Sequence, residues 1–364
     1  MIRAAITCDI FCRVVDNFGD IGVAWRLARQ LTKEHQLRVR LIVDDLASFS
    51  VLEPAINISS ELQIVSGVTV MGWGQASAAA PADLVIEAFA VNLPEPYVAA
   101  MVARVSSPVW INLEYLSAES WIGGHHLLPS PHPKLSLTKH FFFPGFTPDT
   151  GGLIREHELL AERDAFVSPN NADNLQVFLF GYQNAACQNL LQAMSESKAH
   201  IRCTVPEGAL ARSLKQRGGW PDNPSANFAI ETIPFSAQQA FDRLLWRHDV
   251  LFVRGEDSFV RAQWAAKPFI WQIYPQPDNA HWVKVNAFLL LYCDGLENTA
   301  ALALRDLWRA WNAEDCVNIG SAWGQFVNQL PALQRHAKVW AGKLAQMPDL
   351  AANLLSFYRK TTKI

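Results

Sequence analysis

The stretch "VLFVRGEDSFVRAQWAAKPFIWQIYPQ", residues 250–276, is where the fold of this chain is most legible. An apolar run meets Arg254-Gly255-Glu256-Asp257-Ser258, apolar residues then recur at three and four spacing, and "PFIWQIY" (268–274) closes the stretch. That order reads as buried strand, turn, amphipathic helix and second buried strand, the repeating unit of a parallel sheet. Upstream, "LQVFLFGY" (175–182), "HIRCTV" (200–205) and "NFAIETI" (227–233) have the same short apolar character. The segments "AACQNLLQAMSES", "GALARSLKQRG" and "SAQQAFDRLLWRH" lie between them and carry helical periodicity. Five strands alternating with four helices predict a Rossmann-like domain.

The first half repeats the theme less regularly. "AAITCDIF" leads into a helix over 20–32, with Ile21, Ala24, Trp25, Ala28 and Leu31 on its buried face. "LRVRLIVDD" (37–45), "DLVIEAFA" (83–90) and "PVWINLEYL" (108–116) read as further buried strands. Segment 123–152, rich in Pro, Gly, His and Phe, has no clear period and is expected to be a long functional loop. The expected architecture is α/β: an N-terminal Rossmann-like domain over 1–165 and a C-terminal one over 166–364, facing each other across a cleft. Beyond residue 295 the chain reads as helical, and its last helix is expected to pack back on the N-terminal domain.

Composition narrows the function classes. Of 364 residues, half are apolar, with 13 Trp and 20 Phe, enough for two packed cores. A formal net charge of −3 gives no global sign of nucleic-acid or anionic-membrane binding. No apolar run approaches the roughly 18 residues of a membrane span, and Asp9 interrupts the opening stretch before it can read as a signal peptide. A soluble, cytoplasmic protein is expected. The six cysteines are scattered through apolar runs and read as core residues; Cys8 and Cys12 lack a second ligand pair, so no metal site is expected. The loop pair His125-His126 reads as solvated.

Three places carry candidate chemistry. In "DIFCRVVDNFGDIGVAWRLARQL" (9–31), Asp16 and Asp20 flank Asn17-Phe18-Gly19 at a strand-to-helix junction. Asp20 reads as a helix N-cap, or else the two carboxylates form a site for a cationic or proton-donating partner, since they would repel a diphosphate. A dinucleotide site would need G-x-G-x-x-G, and only Gly19 and Gly22 occur; Asp44 in the ribose-binding position does not rescue the match. In the second place, the amides of 256–258 and the Ser258 hydroxyl lie at a helix N-terminus, with Gly255 allowing close approach and Arg254 a possible bidentate phosphate ligand. Glu256 can accept from sugar hydroxyls; alternatively Asp257 caps the helix and Arg254 pairs with Glu256. In the third, Phe180, Tyr182 and Phe235 can stack on a nucleobase while Gln238 reads its edge, or can pack as core.

The layout resembles a GT-B glycosyltransferase, and the motifs carry a closer likeness. The 9–31 stretch, "NLEYLSAES" (112–120), "GGLIRE" (151–156), "FGY" (180–182), the "IPF" segment from 233 and the "RGEDSFVRAQ" segment through 276 resemble the EarP family, protein-arginine rhamnosyltransferases acting on elongation factor P. The resemblance implies dTDP-β-L-rhamnose as donor, an arginine of elongation factor P as acceptor, inversion to an α-linked product, and no metal or other cofactor. It implies Asp20 as catalytic base and Asp16 as its partner in acceptor positioning. Phe180, Tyr182, Phe235 and Gln238 would hold thymidine, and Glu256, Asp257 and Ser258 the ribose and diphosphate. Asn17, Phe18, Gly19, Gly181, Arg254 and Gly255 would complete the donor set, with Glu114 a further acceptor contact. Two other readings compete: an NAD-dependent oxidoreductase, disfavoured by the missing glycine fingerprint, and a non-catalytic nucleotide-sugar-binding protein.

Overall fold

The computed structural model describes residues 5–14, 18–169, 174–216, 218 and 227–363. The chain divides into two compact units, with crossings after His157 and after Gln346, so that residues 347–364 belong with the first unit.

The first unit opens with β1 (Thr7–Cys12), α1 (Gly19–Lys33), β2 (Arg38–Val43) and α2 (Leu46–Leu52). A hairpin, β3 (Leu62–Val65) and β4 (Val68–Gly72), is followed by β5 (Leu84–Ala88), α3 (Glu95–Ala103), β6 (Val109–Leu113), α4 (Ile122–His125), β7 (Pro129–Pro131) and β8 (Thr138–Phe142). These strands form one sheet ordered β3-β4-β2-β1-β5-β6-β8-β7, parallel apart from the two edge strands β3 and β7. The central order is that of a Rossmann sheet, with β1 and β5 as neighbours from which the chain winds in opposite directions.

A buried parallel sheet must neutralise any polar residue it contains. Asp9, fully buried in β1, accepts two 2.6 Å bonds from Arg40 and one of 3.1 Å from the Ala82 amide, and also pairs with the Tyr97 hydroxyl. Glu87 in β5 meets Lys139 of β8 at 2.7 Å, while burial pushes its carboxyl up against the opposing pull of that ammonium.

That contact corrects the sequence reading of 123–152. The middle part of this segment, with strands at 129–131 and 138–142, is a hairpin that extends the sheet, where Lys139 pairs with Glu87 and lies 5.0 Å over the Trp110 ring, whereas 143–152 carries no helix or strand. His126 is not simply solvated. Its Nδ1 accepts the Phe143 amide, its ring packs edge-on against Phe142, and burial lowers its pKa to about 4 despite the nearby Asp149.

The second unit begins with α5 (Leu159–Asp164), which accounts for a boundary earlier than the 165/166 expectation: Arg163 donates to the Trp264 carbonyl, and Phe166 packs on Trp246. Then come β9 (Leu175–Leu179), α6 (Cys187–Ser195), β10 (Ile201–Pro206), α7 (Ala209–Gln216), β11 (Phe228–Ile233), α8 (Gln238–Trp246), β12 (Val250–Arg254), α9 (Glu256–Trp264) and β13 (Phe269–Gln272). The sheet is parallel, in the order β11-β10-β9-β12-β13, and diverges between β9 and β12. Helices α10 (His281–Tyr292), α11 (Asn298–Asn312), α12 (Ile319–Asn328) and α13 (Leu330–Ala345) bury Trp308, Trp311 and Trp323.

The final helix, α14 (Leu350–Thr362), returns to the first unit. Asp349 caps it through the Ala352 amide and accepts a bond from Gln30 of α1, Asn353 donates to the Gly151 carbonyl, and Phe357 packs against His140. Among the described residues, no helix is long and apolar enough to cross a membrane.

Candidate active site

In open α/β sheets, ligands bind beyond the carboxyl ends of the strands, at the point where the connections diverge. In the first unit that point lies after β1 and β5. Asp16 and Asn17 fall outside the described residues. Phe18 is the residue before α1, with no side-chain cap, and its carbonyl accepts the Gly22 amide at 2.9 Å. Gly19 is the first residue of α1.

Asp20 is therefore inside the first helical turn, which overturns its reading as the N-cap. It is 3% exposed, and its Oδ1 accepts the Tyr115 hydroxyl at 3.2 Å. Its field is felt next door: burial, with Asp20 and Asp44 adding negative charge, pushes the Cys12 thiol far up.

Tyr115 follows β6, and its ring stacks on Phe89 at 4.4 Å between centroids and 17° between planes. Phe89 and Ala90, just beyond β5, both have left-handed backbone with φ of 62° and 56°. The turn is held by the Phe89 amide on the Leu113 carbonyl and the Ala90 amide on Asn112 Oδ1, while Asn112 donates to Glu114 at 2.5 Å. Glu114 is half-buried beside this network. The residues missed on the sequence are Tyr115, Phe89 and Asn112. Tyr115 and Asn112 lay within the quoted "NLEYLSAES", but nothing in that string says that a tyrosine hydroxyl will reach an aspartate from another strand.

In the second unit the divergence point lies after β9 and β12, and it gathers the other candidates. The Arg254 guanidinium lies 4.8 Å from the Phe180 ring centroid and 4.6 Å from that of Tyr182. Its Nε is buried without a hydrogen-bond partner, a donor suited to an anionic ligand. Gly255 is the residue before α9 and holds φ 67° with ψ −178°, and its carbonyl accepts the Trp271 indole N–H at 2.9 Å. Asp257 does not cap α9; it lies in the first turn and accepts from Gln238 at 3.1 Å. Gln238 is buried. Glu256, Asp257 and Ser258 are half-buried at the helix start, where the helix dipole favours anions.

Phe180 and Phe235 have ring centroids 6.4 Å apart, both half-buried, so they form a partly open aromatic wall rather than core. Tyr182 packs edge-on against Tyr274, and its amide donates to Gln272 Oε1 at 2.8 Å. Gly181 allows this close approach: a Cβ there would come within 2.7 Å of the same oxygen. Among the described residues, no group of three or more His, Cys, Asp or Glu could hold a metal ion.

Two parallel-sheet units, each with its candidate residues at strand carboxyl ends, have the fold of the GT-B glycosyltransferases. The solved structure of Acinetobacter baumannii MurG has this fold, with a TM-score of 0.53 at 14% identity over 99% of this chain and all of the other. The family model for the elongation factor P rhamnosyltransferase EarP matches residues 8–359, and the chain belongs to that family. It is similar to the protein-arginine rhamnosyltransferases of Pseudomonas putida, 47% identical over 98% of this chain and 99% of the relative, and of Pseudomonas aeruginosa, 43% identical over 96% and 98%. A solved structure concerned with EarP-mediated arginine glycosylation of EF-P matches with a TM-score of 0.67 and 34% identity, covering 98% of this chain and 99% of that one. With the family established, the chain is an enzyme, and the oxidoreductase and non-catalytic readings fall away.

Proposed function

We propose that this protein transfers L-rhamnose from dTDP-β-L-rhamnose to an arginine side chain of elongation factor P, with inversion to an α-linked product, in the cytoplasm. The observation that carries the reading is the chemical contrast between the two strand-end sites. One offers the buried carboxylate of Asp20 in a helix first turn; the other offers Arg254, glycine backbone and the start of α9. The family assignment and the relatives' shared activity support it.

The chemistry follows from these residues. In a single displacement, a guanidinium nitrogen of the acceptor forms a bond to the anomeric carbon as the bond to the diphosphate oxygen breaks, and dTDP leaves. A guanidinium stays protonated far above neutral pH, so Asp20 does not deprotonate it beforehand. The carboxylate takes one proton as the C–N bond forms, and the product guanidinium keeps its positive charge. Asp16 is assigned the second grip on the acceptor, with Glu114 a further acceptor contact. On the donor side, Phe180, Tyr182 and Phe235 would wall the thymine and Gln238 would contact its edge. Glu256 and Asp257 would take sugar hydroxyls, while Ser258 and the amides around Gly255 would meet the diphosphate, with Gly181 allowing the close approach. Asn17, Phe18 and Gly19 complete the assigned donor set. Charge developing on the leaving diphosphate is balanced by Arg254 and the α9 amides, so the reading calls for no metal or other cofactor.

Intact-mass analysis of elongation factor P after incubation with this protein and dTDP-rhamnose tests the proposal. One added deoxyhexose on an arginine is expected. Asp20→Asn should abolish the addition while calorimetric dTDP binding survives; near-normal transfer by that variant would sink the base assignment.

A further inference from the structure

Resting on Asp20 as the base, we infer that Tyr115 is the positioning residue that aims it, and that the Phe89 ring holds Tyr115 in place. The hydroxyl of Tyr115 donates to Oδ1 of Asp20 at 3.2 Å, a bond that fixes the carboxylate from a residue 95 positions away in the chain. The phenol ring lies flat on Phe89, so its free rotation is limited to the plane of that stack.

Stability alone does not account for this arrangement. Tyr115 is 39% exposed, so its ring withdraws only part of its surface from water, and its hydroxyl reaches a carboxylate that is 3% exposed. The backbone beneath it is costly. Phe89 and Ala90 both sit in the left-handed region at 62° and 56°, which residues with a side chain rarely adopt. The neighbouring sheet keeps them there through the Leu113 carbonyl and Asn112. Strain held in place by surrounding hydrogen bonds is characteristic of residues whose geometry serves a reaction. Three strand ends thus converge on one carboxylate: β1 leads to Asp20, β5 delivers Phe89, and β6 delivers Tyr115.

A base held by a bond from a fixed phenol loses turnover, not binding, when the phenol is removed. Tyr115→Phe keeps the ring stack and deletes only the hydroxyl. The expected result is a fall in kcat of about tenfold, with KM for elongation factor P and calorimetric dTDP affinity within about twofold of the parent. Phe89→Ala should lower kcat in the same way, and Phe89→Trp, which preserves a stacking surface, should restore most of it. Unchanged kcat in Tyr115→Phe, or a loss confined to KM, overturns the inference. Active Asp20→Asn would instead remove the underlying base assignment, so the two failures are told apart by running both variants side by side.

Discussion

Replacing Gly255 by alanine tests whether the start of α9 is built for a diphosphate. A new Cβ would find the Tyr182 hydroxyl at 3.6 Å, an ordinary contact, so crowding is not the obstacle. The backbone is: φ 67° with ψ −178° lies in a region open essentially to glycine alone, and holding alanine there costs about 1–3 kcal/mol. The loop has two responses. It can keep its shape, in which case the strain lowers the stability of the free and bound protein alike and affinity is unchanged. Or it can relax, which displaces the Gly255 carbonyl from the Trp271 indole N–H and turns the first amides of α9 away from their common target. The indole bond is worth about 1 kcal/mol, less than the middle of the strain range, so relaxation is favoured. A cost of about 2 kcal/mol transferred to the ligand corresponds to a loss of about 30-fold in dTDP affinity. Titration calorimetry with dTDP and with thymidine separates phosphate from base recognition. The dTDP constant should weaken about 10- to 100-fold, and thymidine should bind within about threefold of the parent. Equal losses for both ligands, or unchanged affinity in a variant whose undiminished urea stability shows that the loop has relaxed, would refute the assignment of the diphosphate to this turn.

Two further outcomes follow from buried charge. Arg261 is 1% exposed and makes bonds of 2.6 and 2.7 Å to Asp242, tying α9 to α8; Asp242→Ala should destabilise the protein by about 3–5 kcal/mol in urea unfolding, whereas Asp242→Leu with Arg261→Met should recover most of it. The pKa of His126 is lowered to about 4, chiefly by burial, so the unfolded chain takes up its proton first as the medium is acidified. The native state should therefore hold its full His126 contribution above about pH 6.5 and lose it on falling toward pH 4, by about 1–2 kcal/mol once partial exposure is allowed for. In His126→Gln, which retains an acceptor for the Phe143 amide, that part of the pH slope should vanish from the urea midpoint.

Local sequence determined the repeating elements. The four turns of strand and helix from 175 to 276 are legible because a buried parallel strand is a short, uniformly apolar run and its crossover helix shows a separate period, both local properties. The edge hairpin around β7 and β8 was not, since its strands are held by pairs such as Lys139 with Glu87, 52 residues apart in the chain. The same distinction runs through the site. Asp20, Arg254 and Gly255 stand out locally because they fall at strand-to-helix junctions, where ligands of this architecture bind, although a cap or an ion pair is the competing use there. That Asp20 lies inside the helix turn, with Tyr115 brought from 95 residues away and Phe89 stacked behind it, depends on where the sheet sets its strand ends. Spacing along a chain encodes period and junction, whereas the direction of a hydroxyl or the stacking of two rings is decided only when separate strands are packed side by side.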